Sequence, residues 1–288
     1  MSLLDRIRYC RRRDAARFHC FVVAGLPVGW VAHDLADRLR GFPAVFAVSD
    51  ERVQIADALG GFESRSRAVG DVILRLREEG WFPGWRDEAL AVAPSFYAPP
   101  LLQIERGAAR AFGIRFHCVQ LNGIVEGGGA GQTWIARRSL SKPIGPGKLD
   151  QIVGGAVPFG ISLADALVKE CAEEASIPAA LVGEARPVGA VTYFRQEDGL
   201  CDDEVLFNYD LRLPPEFTPV NADGEVAGFE LWPLQRLKAV LAETDDFLFD
   251  VALSLIDLLI RRGVVRPADP DYIEVCEGLW STPTEDRR

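Results

Sequence analysis

The spacing of apolar and polar positions changes character along the chain. Leu3 to Arg17 keeps a helical period, His19 to Val23 and Gly29 to Val31 alternate like short strands, and Asp34 to Arg40 returns to a helix. Ala44 to Val48 and Arg52 to Ile55, parted by Ser49-Asp50-Glu51, predict a hairpin, and Ser64 to Glu79 predicts a helix stopped at Gly80. The turn-rich stretch Ala93 to Pro100 and a short helix near Glu105 to Phe112 then mark a candidate boundary. Beyond it the strands lengthen: Arg115 to Glu126, Thr133 to Arg138, Leu149 to Val153, Pro187 to Phe194 and Glu204 to Leu211. Helices at Ser162 to Ala175, Pro233 to Leu241 and Phe247 to Arg262 are set among them. The pattern predicts an α+β / α/β chain, with a smaller α+β domain over residues 1–112 and an α/β/α layered domain over residues 113–288.

Gly127 to Gly131 is rich in glycine, but a phosphate loop needs a following helix and a Lys-Ser/Thr pair. Here a strand follows, so a hairpin turn is the better reading. Charge adds a division. The net charge of -10 argues against binding by coating a nucleic acid polymer or an anionic membrane. Up to Phe112 there are sixteen basic and fourteen acidic residues; from Gly113 on there are sixteen and twenty-eight. The six cysteines show no C-x-x-C pair and no zinc spacing, and a reducing cytoplasm is the simplest setting. No apolar run is long enough to span a membrane.

One helix departs from ordinary amphipathic patterning. Ser162 is a good N-cap with Asp165 three residues on, and Pro178 requires the helix to have ended. Glu170, Glu173 and Glu174 share one edge, and Glu170 and Glu174 continue the inward stripe of Leu163 and Leu167. Three acids near a helix C-terminus repel one another and oppose the dipole, by roughly 0.2–0.5 kcal/mol per like pair. A solvated acidic helix end is one answer, with Lys169 and Arg186 compensating. A hard divalent cation is the other, since Mg²⁺ favours carboxylate oxygens and keeps waters suited to phosphate substrates.

From Gly155 to Ile177 the chain resembles the Nudix box, G-x5-E-x7-R-E-U-x-E-E-x-G-U. Gly155 matches its first glycine, Lys169 stands for the arginine, and Glu170, Cys171, Glu173, Glu174 and Ile177 match the core. Ile161 replaces the first glutamate and Ser176 the last glycine. Together with WIARRSLSKPIGPGKLDQIVGG, PVGAVTYF, EVLFNYDLRLP and DGEVAGFELWP, the chain resembles a two-domain Nudix subgroup related to the Nudix domain fused to thiamin pyrophosphokinase. The resemblance implies a Nudix α/β/α sandwich with a mixed sheet after a smaller α+β domain of unassigned role. It implies Mg²⁺-dependent hydrolysis, with Mn²⁺ as a substitute, of a thiamin diphosphate-like small molecule to monophosphate and phosphate. ADP-ribose, a nucleotide sugar or a dinucleotide is the alternative substrate, and a non-catalytic ligand-binding or regulatory module the alternative of another class.

By this resemblance Glu170, Glu173 and Glu174 hold metal, Lys169 orients a box glutamate, and Glu204 or Glu225 adds a further carboxylate. Arg137, Arg138, Lys142 and Lys148 are the candidates for the anionic end of the substrate; in a strand, at most one of the two arginines faces the site. Gln151, with Asp150, and the Gly154-Gly155 pair border the expected pocket. Tyr193, Phe194, Phe207 and Tyr209 offer aromatic faces but suit core packing better. His19, His33 and His117 stand apart in sequence, and Arg11-Arg12-Arg13 reads as a solvated helix face or a contact to an anionic ligand or neighbouring subunit. The first domain is left open as lid, specificity element or homodimer surface.

Overall fold

The structure, a computed structural model, describes residues 2–82 and 84–281. Helix α1 spans only Leu3–Tyr9, opened by a capping box between Ser2 and Asp5. The helix expected to reach Arg17 stops early because the arginine triplet lies along the edge of a distant strand. Gln196 N–H donates to Arg12 O at 2.9 Å, and Arg11 donates to the carbonyls of Thr192 and Leu279. Arg11 and the Arg12 carbonyl thus tie the chain's two parts together, while the Arg12 and Arg13 side chains stay exposed outside any helix.

Next come β1 (Phe18–Val23), β2 (Leu26–Ala32), α2 (His33–Leu39), β3 (Phe46–Val48), β4 (Arg52–Ile55) and α3 (Phe62–Glu78). The expected hairpin is present as antiparallel β3–β4, and β4 also runs parallel to β1, giving the order β2-β1-β4-β3. Strands β5 (Ala89–Val92) and β6 (Leu102–Glu105) pair with each other, so the turn-rich stretch closes a strand pair; α4 (Arg106–Ala109) follows.

The second part holds β7 (Arg115–Val125), β8 (Gln132–Arg138), β9 (Leu149–Gln151), β10 (Val153–Ala156), α5 (Leu163–Ala175) and α6 (Ala179–Val182). It continues with β11 (Arg186–Glu197), β12 (Leu200–Arg212), β13 (Val226–Pro233), α7 (Leu234–Glu243), α8 (Val251–Arg261) and α9 (Tyr272–Trp280). Seven strands form one mixed sheet in the order β11-β12-β7-β8-β13, with β10 on β7 and β9 on β8; only β7 and β12 are parallel. The glycine-rich turn joins antiparallel β7 and β8. The single strand expected over Leu149–Val153 is split at Ile152, since β9 and β10 pair with different neighbours. The alternation of β13 is blurred by a register shift between Val226 and Gly228.

Strand alternation assigns the sheet's faces. Val119, Leu121 and Leu211 pack with Leu167 and Cys171 of α5, whereas Ile124 and Leu206 pack with Leu255 and Leu259 of α8. The α8 cluster runs on without a break into Ile7, Phe21, Leu76 and Phe112 of the first part.

Candidate functional site

Helix α5 begins with Ser162 Oγ accepting the Asp165 N–H at 3.1 Å and ends at Ser176 in the left-handed conformation, φ 52°. A serine there is strained where glycine would not be. It is held by its own hydroxyl, which donates to Val220 O at 2.7 Å, and by the Ala222 N–H, which donates to Glu173 O.

Between these ends α5 delivers its acids to the sheet. A Cβ at Gly155 would lie 2.3 Å from Glu170 Cδ, so only glycine lets that carboxylate approach the strand. Glu174 is 8% exposed and accepts the Gly154 N–H at 2.9 Å. Burial, and then the charge of Asp150, hold its carboxyl well above the usual range. Burial raises Glu170 as well, against the pull of Lys169. Lys169 lies on the exposed edge and donates to Glu173 at 2.8 Å and Glu170 at 3.2 Å.

Opposite Glu174 is a small cleft bounded by β8, β9, the β8–β9 loop and the start of β13. Arg138 enters it from β8 and donates to Asp150 Oδ2 at 2.6 Å, with further bonds to Ile144 O. Lys142 enters from the loop and donates to Glu225. Gln151 borders the cleft, but its amide donates to Asn122 Oδ1 at 2.7 Å. Glu170, Glu174, Glu225, Asp150, Arg138 and Lys142 are therefore gathered in one region. Among the described residues no three metal-ligating side chains converge on one point. Gly154 N–H holds Glu174, Lys142 holds Glu225, and Lys169 holds both Glu170 and Glu173.

Several expected members lie elsewhere. Glu204 shares the sheet face of Leu206 and Asn208, the latter bonded to Asp257 of α8, so the sheet separates it from α5. It is boxed in beside the Cys118 thiol, 3.7 Å away, and Tyr193; burial, then Asp250 and Asp202, push its carboxyl up. It is not a ligand with the α5 acids. Lys148 is turned to Asp245, and Arg137 to Gly147 O at 2.9 Å, so neither lines the cleft. Tyr193 is fully buried and Phe194 packs on Trp30. Phe207 rests against Phe96 and His117, while Tyr209 joins the α5 core. The rings of His19 and His33 are 4.4 Å apart, a pairing that their sequence separation hides.

Two arginines of the first part, which no local pattern singles out, also reach this region. Arg86 Nη1 is 4.0 Å from Glu225 Oε1, and Arg106 lies within the electrostatic reach of Glu170.

The NUDIX domain family matches residues 122–251, and a domain of unknown function, DUF4743, matches residues 2–116. Two Arabidopsis thaliana proteins, Nudix hydrolase 20, chloroplastic, and Nudix hydrolase 24, chloroplastic, are 39% and 40% identical to the chain. Each alignment takes in 96% of this chain and 77% of the relative. A crystal structure from Deinococcus radiodurans aligns with a TM-score of 0.48 and 26% identity over 59% of this chain and 99% of that one.

Proposed function

The chain belongs to the Nudix hydrolase family, and from that membership we propose that it cleaves the diphosphate of a thiamin diphosphate-like small molecule to monophosphate and phosphate. The carrying observation is the cleft in which Glu174 and Glu225 face Arg138 and Lys142, with Glu170 one turn away on α5. Acids and bases so arranged suit a polyanion bound together with a cation.

The residues fit Mg²⁺, with Mn²⁺ as a substitute. Glu174 is a nearly buried acid whose proton is held by desolvation and by neighbouring negative charge, a condition that a divalent cation relieves. Glu170, Glu174 and Glu225, with Glu173 at the exposed edge, would hold it. When bound, it would supply charge neutralisation for the diphosphate and acidify the attacking water. The chain does the rest. Arg138 and Lys142 hold phosphate oxygens, Gly154 N–H fixes the Glu174 carboxylate, and Lys169 keeps Glu170 and Glu173 from splaying apart. Water adds to one phosphorus as the bridging oxygen leaves with the other phosphate.

The thiamin-like substrate class rests on the subgroup resemblance, including the link to a thiamin pyrophosphokinase fusion. All six cysteines are free thiols, which supports a reducing compartment such as the cytoplasm; the chloroplastic names belong to the plant relatives. Product formation with Mg²⁺, as phosphate from thiamin diphosphate and its oxo and oxy analogues and as AMP from ADP-ribose, tests the proposal. Turnover of the thiamin compounds, lost in Glu174→Gln, is expected. Much faster turnover of ADP-ribose would replace the substrate and keep the chemistry. No release from any diphosphate would favour a binding module.

A further inference from the structure

We propose that the domain of unknown function supplies part of the substrate site: Arg86 and Arg106 grip phosphoryl oxygens of the bound diphosphate from the side of the cleft opposite α5. The inference rests on the hydrolase reading above and adds to it the residues that recognise the substrate's charged end.

These arginines sit on a braced platform. Gly107 passes so close to the preceding loop that a Cβ there would lie 2.7 Å from Gly84 O and 3.0 Å from Trp85 Cα. The Glu105 carboxylate accepts the Arg86 N–H at 2.8 Å and the Gly107 N–H at 3.2 Å. Arg106 N–H donates to Glu88 O, and its guanidinium to the Glu88 carboxylate, both at 2.7 Å. Trp85 is fixed by its indole bond to Asp87 at 2.6 Å and by the Arg77 guanidinium 4.2 Å above its ring.

The platform is seated on the Nudix box itself. Phe159 N–H donates to Ala89 O at 2.8 Å, and the Phe159 ring stacks on Phe62 at 5.4 Å. The two arginines therefore have a fixed place relative to α5.

Charge supplies the functional argument. Arg86, Arg106, Arg138 and Lys142 bring four positive charges to this one region, Arg86 and Lys142 onto the same carboxylate. One of their three acidic partners is already shared. Glu225 serves Lys142 and Arg86, Asp150 serves Arg138, and Glu88 serves Arg106. A diphosphate placed among them would offset the repulsion, and guanidinium forks match its oxygens. At 4.0 Å the Arg86–Glu225 contact is a loose ion pair, readily exchanged for phosphate.

The test uses full-length Arg86→Gln, Arg86→Lys and Arg106→Gln, with methylenediphosphonate as a non-hydrolysable probe titrated calorimetrically in Mg²⁺. Thermal unfolding confirms that each variant is folded. Arg86→Gln is expected to weaken the probe and raise KM by about tenfold or more, with Arg86→Lys recovering part of the loss. Arg86 has about a third of its side chain exposed, so it decides the matter if Arg106→Gln fails to fold. Wild-type affinity for the probe in Arg86→Gln overturns the inference. If Glu174→Gln abolishes turnover in that case, the hydrolase reading stands without it. If no diphosphate is turned over by the wild type, the hydrolase reading fails, and the probe titration still decides the arginines.

Discussion

Glu174 and Glu204 are buried to nearly the same degree, 8% and 7% exposed, on opposite faces of one sheet. Desolvation raises both carboxyls. They differ in what can offset the penalty. On the α5 face Glu174 has a backbone N–H, Lys142 nearby and a cleft open to a cation. On the α8 face Glu204 has a thiol, a phenol and the further negative charge of Asp250, and burial with that charge pushes its carboxyl up inside the core. Burial of an acid therefore marks a site only where counter-charge and access come with it.

The largest expected effect tests that distinction directly. Glu174→Gln should lower turnover at least a hundredfold, as loss of a metal-holding or supporting group does. Glu204→Gln, which keeps the shape of the side chain on the far face of the sheet, should leave kcat within about threefold. Equal losses in a steady-state assay would mean that the two faces are not functionally distinct.

Neighbouring glycines sharpen the same contrast, because their absent side chains point to different faces. A Cβ at Gly155 meets Glu170 Cδ at 2.3 Å, and one at Gly154 meets Gln120 Oε1 at 2.6 Å. Gly155→Ala should therefore cut turnover between about tenfold and a hundredfold while leaving Tm almost unchanged. Gly154→Ala should cost about 1–3 kcal/mol by overpacking the far face, with the smaller loss of activity. Parallel kcat and denaturation measurements separate the two; a reversed pattern breaks the face assignment.

The α8 face should also show in the pH dependence of stability. Burial, then the charge of Asp150, push the Asp250 carboxyl from 3.8 up to about 6. The folded protein thus binds this proton more tightly than the unfolded chain. The stabilisation is complete below pH 3.8 and is lost as pH rises through about 6. Asp250→Asn should be more stable than wild type at pH 7 by about 1–2 kcal/mol, and the gap should close towards pH 4. A constant gap in urea melts across that window would show that Asp250 is not the acid at work.

These contrasts also explain what was legible in the sequence. Helix α5 was, because its Ser162 cap, its acid spacing and Pro178 are all local signals. The β3–β4 and β7–β8 hairpins were legible for the same reason. The face of Glu204 was not, since it depends on how β12 registers against β7, and a slip of one residue would reverse it. Helix α1 stops at Tyr9 because Arg12 bonds a strand residue nearly two hundred positions away. Arg86 and Arg106 look like any surface arginine until the first part docks on the box. That docking runs through Phe159, held by Phe62 and Ala89, whereas Ile161, where the box has glutamate, stays exposed.

The smallest expected effect is at Lys169, and it tests whether the exposed edge of α5 matters as much as its buried side. Its side chain is 45% exposed, and its bonds to Glu170 and Glu173 are those of a surface ion pair, worth about 0.2–1 kcal/mol. Lys169→Ala removes the basic partner that, among the described residues, bonds to both acids, so Glu170 and Glu173 repel each other near an unfavourable helix end. Glu174 keeps its own hold through Gly154, so the damage should stop at Glu170 and Glu173. Turnover should fall about two- to fivefold and stability by less than about 1 kcal/mol. Lys169→Arg, whose fork can span both carboxylates, should match or exceed wild type. If Lys169→Ala instead costs as much turnover as Glu174→Gln, the charge at the exposed edge governs the site as strongly as the buried acid does.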